Sequence, residues 1–386
     1  VSTTHVFIVD TKTFQFHLEY LFAGTGAKDY IIDFHNRAES ELSYARENLL
    51  VGMIADSQRL RKDDFVLFYL QQNAGEGIYE GKFYGIFKVK EAPSFLDNND
   101  SKQFLRNELN KSLTFRILLK PFQVYPKGVT EWEALDEIKS TPVPNQMLWS
   151  LIYRKLKGNR GNTMITIYES ERLFKLILDK NSENPLPNNG FTFNSANQEI
   201  QSIAEAKRYT GKIEPINILP RLIKKYKENK AFESHLQAYI VQNIGRGTNA
   251  SLDKSLIEAE WEMEWLGNEV SCGVGMQRID VMLSLIDGQN RRIVPIELKA
   301  VKAEASVVYQ IQRYVDWLEQ YYLPNRISDI QPFLIAKKIE DKTTNVYQAL
   351  IEALKEFKVK NPHCLPLNYI EFVLNNTSIV FEQIHY

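Results

Sequence analysis

"RIDVMLSLIDGQNRRIVPIELKA", residues 278–300, reads as two β-rich runs folded back on each other. Val, Ile, Leu and Met fill both runs, and Asp287-Gly288-Gln289-Asn290 between them is a hairpin signature. An apolar strand seldom carries charge, because an unpaired charge taken out of water is costly. Yet Glu297 and Lys299 close the second run, with only Leu298 between them. A side-chain period of two puts Glu297 and Lys299 on one face and Leu298 on the other. In the right register, the hairpin also brings Asp280 beside them.

Two converging carboxylates suit a hard cation with oxygen ligands, which points to Mg²⁺ held by Asp280 and Glu297. The Leu298 carbonyl is the natural third ligand, and Mn²⁺ is expected to substitute. Lys299 beside such a metal can orient a water molecule and help deprotonate it, which indicates metal-assisted phosphodiester hydrolysis. A bare E-x-K triplet is most often a solvated sheet edge. Here the apolar lead-in, the aspartate on the partner run and a following helix with Gln310 and Arg313 set it apart. No zinc motif or dinucleotide fingerprint competes. "GTGAKD", residues 24–29, lacks the G-K-[ST] ending of a phosphate loop, and "GVG", residues 273–275, precedes a strand.

Around the hairpin the second half alternates helices and strands. "LPRLIKKYKENKAFESHLQAYIVQNIG", residues 219–245, carries Phe232, Leu236, Tyr239 and Ile240 at helical spacing and stops at Gly245. "VVYQIQRYVDWLEQYY", residues 307–322, predicts a helix with Ile311, Val315, Leu318 and Tyr322 as its apolar stripe. A strand over 331–339, a helix over 346–357 and strands over 367–374 and 378–384 follow. The expectation is a mixed α/β core with the hairpin at its centre.

Asp280, Glu297 and Lys299 resemble the D…E-x-K core of the PD-(D/E)XK nuclease superfamily. "NEVSCGVGMQRIDVMLSL…RRIVPIELKAVKAEASVVYQIQRYVDWLE" is similar to the catalytic domain of NucS-like endonucleases, including the Q-x-x-R-Y helix, here Gln310, Arg313 and Tyr314. The resemblance covers about residues 230–340, with Ile279 where a proline is usual before the first aspartate. It implies a restriction-endonuclease-like mixed sheet flanked by helices. It further implies Asp280 and Glu297 as metal ligands, Lys299 as catalytic lysine, and Gln310 as a residue positioning water or phosphate. Glu233 matches a helical glutamate that reaches the metal directly or through water. His235 reads as a surface histidine, and Arg313 as a partner for a carboxylate or a phosphate.

The first half reads as α+β. "HVFIVD" (5–10), "DDFVLFYLQ" (63–71), "KFYGIFKVKEA" (82–92) and "LTFRILLKPFQVY" (113–125) predict strands, with the turn-rich "QNAGEGIYEG" at 72–81. Short strands around a few helices suggest a small barrel or curled sheet. A helix is expected from Asn145 to near Gly158. There Arg154, Lys155, Lys157 and Arg160 crowd around Trp149 and Tyr153, a mixture suited to tracking phosphates and stacking a base. The strand pattern loosely resembles the PUA-like superfamily, including EVE and YTH domains, across roughly residues 3–178. That resemblance implies target recognition by extrusion of a base into an aromatic-lined pocket. The Asn-, Ser- and Pro-rich stretch "DKNSENPLPNNGFTFNSANQ" sets the expected organisation: domain 1–178, linker 179–200, domain 201–386.

Bulk properties narrow the classes. The chain has 386 residues, enough for two domains, with 44% hydrophobic and 25% charged residues. A net charge of −1 gives no global signature of nucleic-acid binding, so local patches must carry it. Two cysteines are too few for a disulfide framework and fit a reducing cytoplasm. No apolar run is long enough to span a membrane. The expected function is a Mg²⁺-dependent DNA endonuclease, a restriction enzyme whose sensitivity to base modification is left open. Its partner is double-stranded DNA, and a homodimer is expected because cutting both strands usually takes two sites. The alternatives are a NucS-like repair nuclease acting on mismatched or branched DNA, and an inactive DNA-binding protein.

Overall fold

The computed structural model describes residues 2–26, 31–34, 44–136, 161–272 and 277–386. The chain is mixed α+β and divides into two compact units. An N-terminal unit holds Ser2–Ile32 and Gly52–Ile216; a C-terminal unit holds Asp33–Val51 and Asn217–Tyr386. Among the described residues no helix is long and apolar enough to cross a membrane.

In the N-terminal unit the strands are β1 (Thr4–Val9), β2 (Phe22–Thr25), β3 (Phe65–Leu70), β4 (Lys82–Val89), β5 (Phe95–Leu96), β6 (Phe115–Pro121), β7 (Val129–Thr130), β8 (Asn162–Ile165), β9 (Gly190–Asn194), β10 (Glu199–Ile203) and β11 (Glu214–Pro215). Nine of them form one sheet in the order β11-β5-β6-β4-β3-β1-β8, with β2 beside β6 and β7 beside β4. The strand β3, "FVLFYL", is apolar throughout because it lies inside the sheet and both its faces are covered. Among the described residues the outer strands β11 and β8 do not pair, so the expected barrel is not closed there. The helix Thr11–Tyr20 starts where the Asp10 carboxylate accepts the Thr13 N–H at 2.7 Å. It lays Phe14 against Phe68, Tyr84 and Phe193, with ring centroids 4.9–5.3 Å apart. His17, one turn on, is buried with its ring edge-on to Phe22 at 4.8 Å.

The stretch expected to be a linker, 179–200, is part of this unit. The helix Ile167–Lys180 runs into it, and β9 and β10 form an antiparallel hairpin within and beyond it. Phe191, Phe193 and Ile200 are buried in the same core as Phe14 and Phe68. The Asn and Ser residues mark the turn between these strands, whereas Phe191-Thr192-Phe193 alternates as a strand does. The unit therefore continues to Ile216.

In the C-terminal unit the strands are β12 (Glu262–Ser271), β13 (Arg278–Asp287), β14 (Asn290–Lys299), β15 (Asp329–Ile330), β16 (Phe333–Lys337), β17 (Asn368–Leu374) and β18 (Ile379–Ile384). The order is β12-β13-β14-β16-β17-β18, with β15 beside β14. The pairs β12–β13, β13–β14 and β17–β18 are antiparallel, while β14–β16 and β16–β17 are parallel. Parallel neighbours need crossovers. The helices Val307–Trp317 and Asn345–Lys360 supply them. The hairpin loop is Gly288-Gln289, and Gly288 takes the left-handed φ of 57° that such a turn requires.

Residues 33–51 belong here although sequence order groups them with the first half. Glu47, buried in the helix Tyr44–Gln58, explains the assignment. It accepts from Arg221 Nε at 2.6 Å and lies 2.9 Å from His235 Nε2 and 2.8 Å from Lys225 Nζ. Burial works to raise the Glu47 carboxyl, but hydrogen bonds from His235, Arg221 and Lys225 override it and hold it well below the usual carboxylate range. His235 is thus a fully buried partner of Glu47, not a surface residue.

Candidate active site

The hairpin register runs unbroken from Asp287–Asn290 to Val281–Ile296, and the next row is Asp280 opposite Glu297. At that row the strands part. β14 goes on along β16, pairing Glu297 with Leu334 and Lys299 with Ala336. β13 goes on along β12, pairing Ile279 with Val270 and Arg278 with Ser271. Asp280 and Glu297 therefore face each other across the mouth of a fork in the sheet. Asp280 Oδ2 accepts the Leu298 N–H at 2.8 Å, standing in for the strand that has turned away. In a strand the N–H and C=O of one residue point to the same side. The Leu298 carbonyl accordingly faces the fork as well.

Glu297 has no exposed surface. Its Oε1 lies 2.5 Å from Lys299 Nζ and its Oε2 lies 2.6 Å from the Tyr314 hydroxyl. Gln310 Nε2 donates to that hydroxyl at 2.9 Å, and the Arg278 carbonyl lies 2.9 Å from it. One hydroxyl hydrogen cannot serve both Arg278 and Glu297. The Tyr314 hydroxyl therefore donates to Glu297 Oε2 or to the Arg278 carbonyl, one at a time.

Burial, reinforced by the Glu297 charge and by Glu233 and Glu269, raises Asp280 well above the carboxylate range against the pull of the Leu298 N–H. Burial also raises Glu297, although Lys299 and Tyr314 oppose it. Burial works to lower Lys299, but Glu297, Glu233 and Asp280 prevail and raise it. Lys299 is thus an ammonium suited to holding a negative oxygen, not to taking a proton from water.

Glu233 opens the helix Glu233–Asn243, is exposed, and accepts the Ala300 N–H at 3.4 Å, so it stands at the end of β14. Gln310 reaches Glu297 only through Tyr314. Arg313 is exposed on the same helix, with Nε donating to Gln277 at 3.1 Å. Trp149, Tyr153, Arg154, Lys155, Lys157 and Arg160 lie outside the described residues.

Sequence reasoning named Tyr314 only as part of the Q-x-x-R-Y helix, without a role, and passed over Gln237. Tyr314 carries the contact to Glu297, and its signal is the Gln310–Tyr314 spacing of one helical turn. Gln237 is buried and donates to the Asp280 carbonyl at 2.9 Å and to Glu269 Oε1 at 3.0 Å. Its signal is a polar residue among Leu236, Ala238, Tyr239, Ile240 and Val241, all buried.

Among the described residues no three His, Cys, Asp or Glu side chains converge as a finished cation cage. The donor chemistry nevertheless fits a hard divalent ion. A half-buried and a fully buried carboxyl group, both of raised pKa, face one another beside a main-chain carbonyl, and the Lys299 ammonium already sits on Glu297 as a cation does. Comparison with known proteins returns no match: no family model fits the chain, and no curated protein matches it.

Proposed function

We propose that the protein is a divalent-cation-dependent DNA endonuclease of the PD-(D/E)XK kind, with its active site at the β13–β14 fork. The observation that carries this reading is Asp280 opposite Glu297 in one row, with Lys299 two residues on along the same face. Asp280, Glu297 and the Leu298 carbonyl would hold Mg²⁺ or Mn²⁺. The ion, when bound, supplies Lewis-acid stabilisation of the phosphodiester and a water of lowered pKa. Lys299, kept protonated by its acidic surroundings, stabilises the charge that gathers on the phosphate oxygens. Tyr314, fixed by Gln310, orients Glu297. Arg313 is exposed on the same helix, suited to a flanking phosphate.

In this reading the N-terminal unit selects the target, as its loose PUA-like pattern suggests, and two chains act on duplex DNA to cut both strands. A restriction role makes this division of labour useful; the aligned Asp280, Glu297 and Lys299 speak against an inactive binding protein. The test is incubation with plasmid and with perfect, methylated and mismatched duplexes, in Mg²⁺ and in EDTA. Discrete bands from a perfect duplex, lost in EDTA, support a restriction nuclease, and cutting confined to mismatches supports repair. Cutting that persists in EDTA rules out the metal-dependent site.

A further inference from the structure

We infer that Gln237 is a positioning residue for Asp280, which it holds in place through the main chain where the sheet no longer does. The inference rests on the nuclease reading for its catalytic consequence, though not for its geometry. Asp280 lies in a gap of the ladder on both sides. Towards β14 the pairing ends one residue earlier, at Val281–Ile296. Towards β12 the register passes from Asn268–Val281 to Val270–Ile279, stepping over the Glu269–Asp280 row. Glu269 causes this, because its left-handed φ of 52° turns its backbone out of the strand conformation. A non-glycine residue keeps such a φ only where its surroundings over-determine it.

Gln237 supplies that determination. One carboxamide nitrogen has two hydrogens, and Gln237 Nε2 gives them to the Asp280 carbonyl and to Glu269 Oε1. Arg278 NH1 holds the other carboxylate oxygen of Glu269 at 2.8 Å. The Asp280 carbonyl thus receives a side-chain amide at a row that neither register includes. Its carboxylate is then free to reach the Leu298 N–H across the fork. Without the Gln237 amide, nothing on the helix Glu233–Asn243 replaces the bond to Asp280, and the carboxylate drifts from Glu297. Outer partners of this kind typically change metal affinity tenfold or more.

The experiment compares the full-length wild type with Gln237→Met, which keeps the bulk and removes the donor. The control is Gln331→Met, a buried glutamine whose amide donates to the Pro366 carbonyl away from the fork. Amide hydrogen exchange at Leu298, measured without metal, reads the position of Asp280 directly. Mn²⁺ titration and single-turnover cleavage read the consequence. Gln237→Met is expected to speed Leu298 exchange at least tenfold, weaken Mn²⁺ about tenfold and slow cleavage. DNA affinity in Ca²⁺ should hold, and Gln331→Met should change none of these. Unchanged Leu298 exchange in Gln237→Met overturns the inference, as does an equal rise in Gln331→Met. If the wild type neither binds Mn²⁺ nor cuts DNA, the nuclease reading fails, and Leu298 exchange still decides the role of Gln237.

Discussion

Asp280 Oδ2 accepts the Leu298 main-chain N–H at 2.8 Å, at the row where β13 and β14 separate. A carboxylate takes the place of a missing strand, and by doing so faces a fully buried carboxyl, Glu297. Such an arrangement opposes stability in the absence of a cation, since both groups resist ionisation. That cost sets the expectations below.

Asp280→Asn keeps an acceptor for Leu298 and removes the charge facing Glu297. The variant is expected to raise the metal-free Tm by a few degrees, about 1 kcal/mol, while abolishing cleavage. A carboxyl with a raised folded pKa binds more protons folded than unfolded. Wild-type stability therefore falls as pH rises above 3.8 through the folded pKa, and the gain from Asn grows over the same window. Thermal melts of both proteins in EDTA at several pH values check this; a lower Tm for the variant contradicts it.

Cation binding is expected to release protons. Carboxyl groups of raised pKa hold protons that a divalent ion must displace. Calorimetric titration with Mn²⁺ in buffers of differing ionisation enthalpy should show proton release that grows as pH is lowered. An apparent enthalpy independent of buffer contradicts the raised Asp280 and Glu297.

Glu47→Gln leaves Arg221, Lys225 and His235 around a neutral group in a buried setting. Breaking a buried ion pair at one end typically costs about 3–5 kcal/mol. Urea denaturation should show a loss of that order in the transition of the C-terminal unit. A fragment cut at residue 201 lacks Glu47 altogether and is expected to be less stable still. Wild-type stability in either protein contradicts the clasp.

His17 gives the fold an acid-side limit. Burial, with Lys111 and Arg116 nearby, pushes its ring down to about 3 from 6.5. Between those values the unfolded chain binds a proton that the folded chain refuses, so stability is intact above pH 6.5 and declines towards pH 3. His17→Leu should flatten the decline over that window. An unchanged pH profile of the Tm means that the ring does not titrate this way.

Much of the site was legible because a hairpin obeys simple arithmetic. Asp-Gly marks the turn, the register follows from it, and the period of two then aligns Asp280, Glu297 and Lys299. What escaped depends on long-range packing. Phe191 and Phe193 join the core of the N-terminal unit although turn-forming residues surround them, so local composition read as a linker. Glu47 belongs with residues more than 170 positions away, and only Arg221, Lys225 and His235 around its carboxylate reveal why. Gln237 matters through a main-chain carbonyl, and its one trace in the sequence is a polar residue within a buried apolar run.

The most direct measurement is anomalous diffraction from crystals of the wild-type protein grown in Mn²⁺. The account expects a peak at the fork, bounded by the Asp280 and Glu297 carboxylates and the Leu298 carbonyl, that disappears in Asp280→Asn. A fork without a peak at saturating Mn²⁺, or a peak that survives in Asp280→Asn, contradicts it.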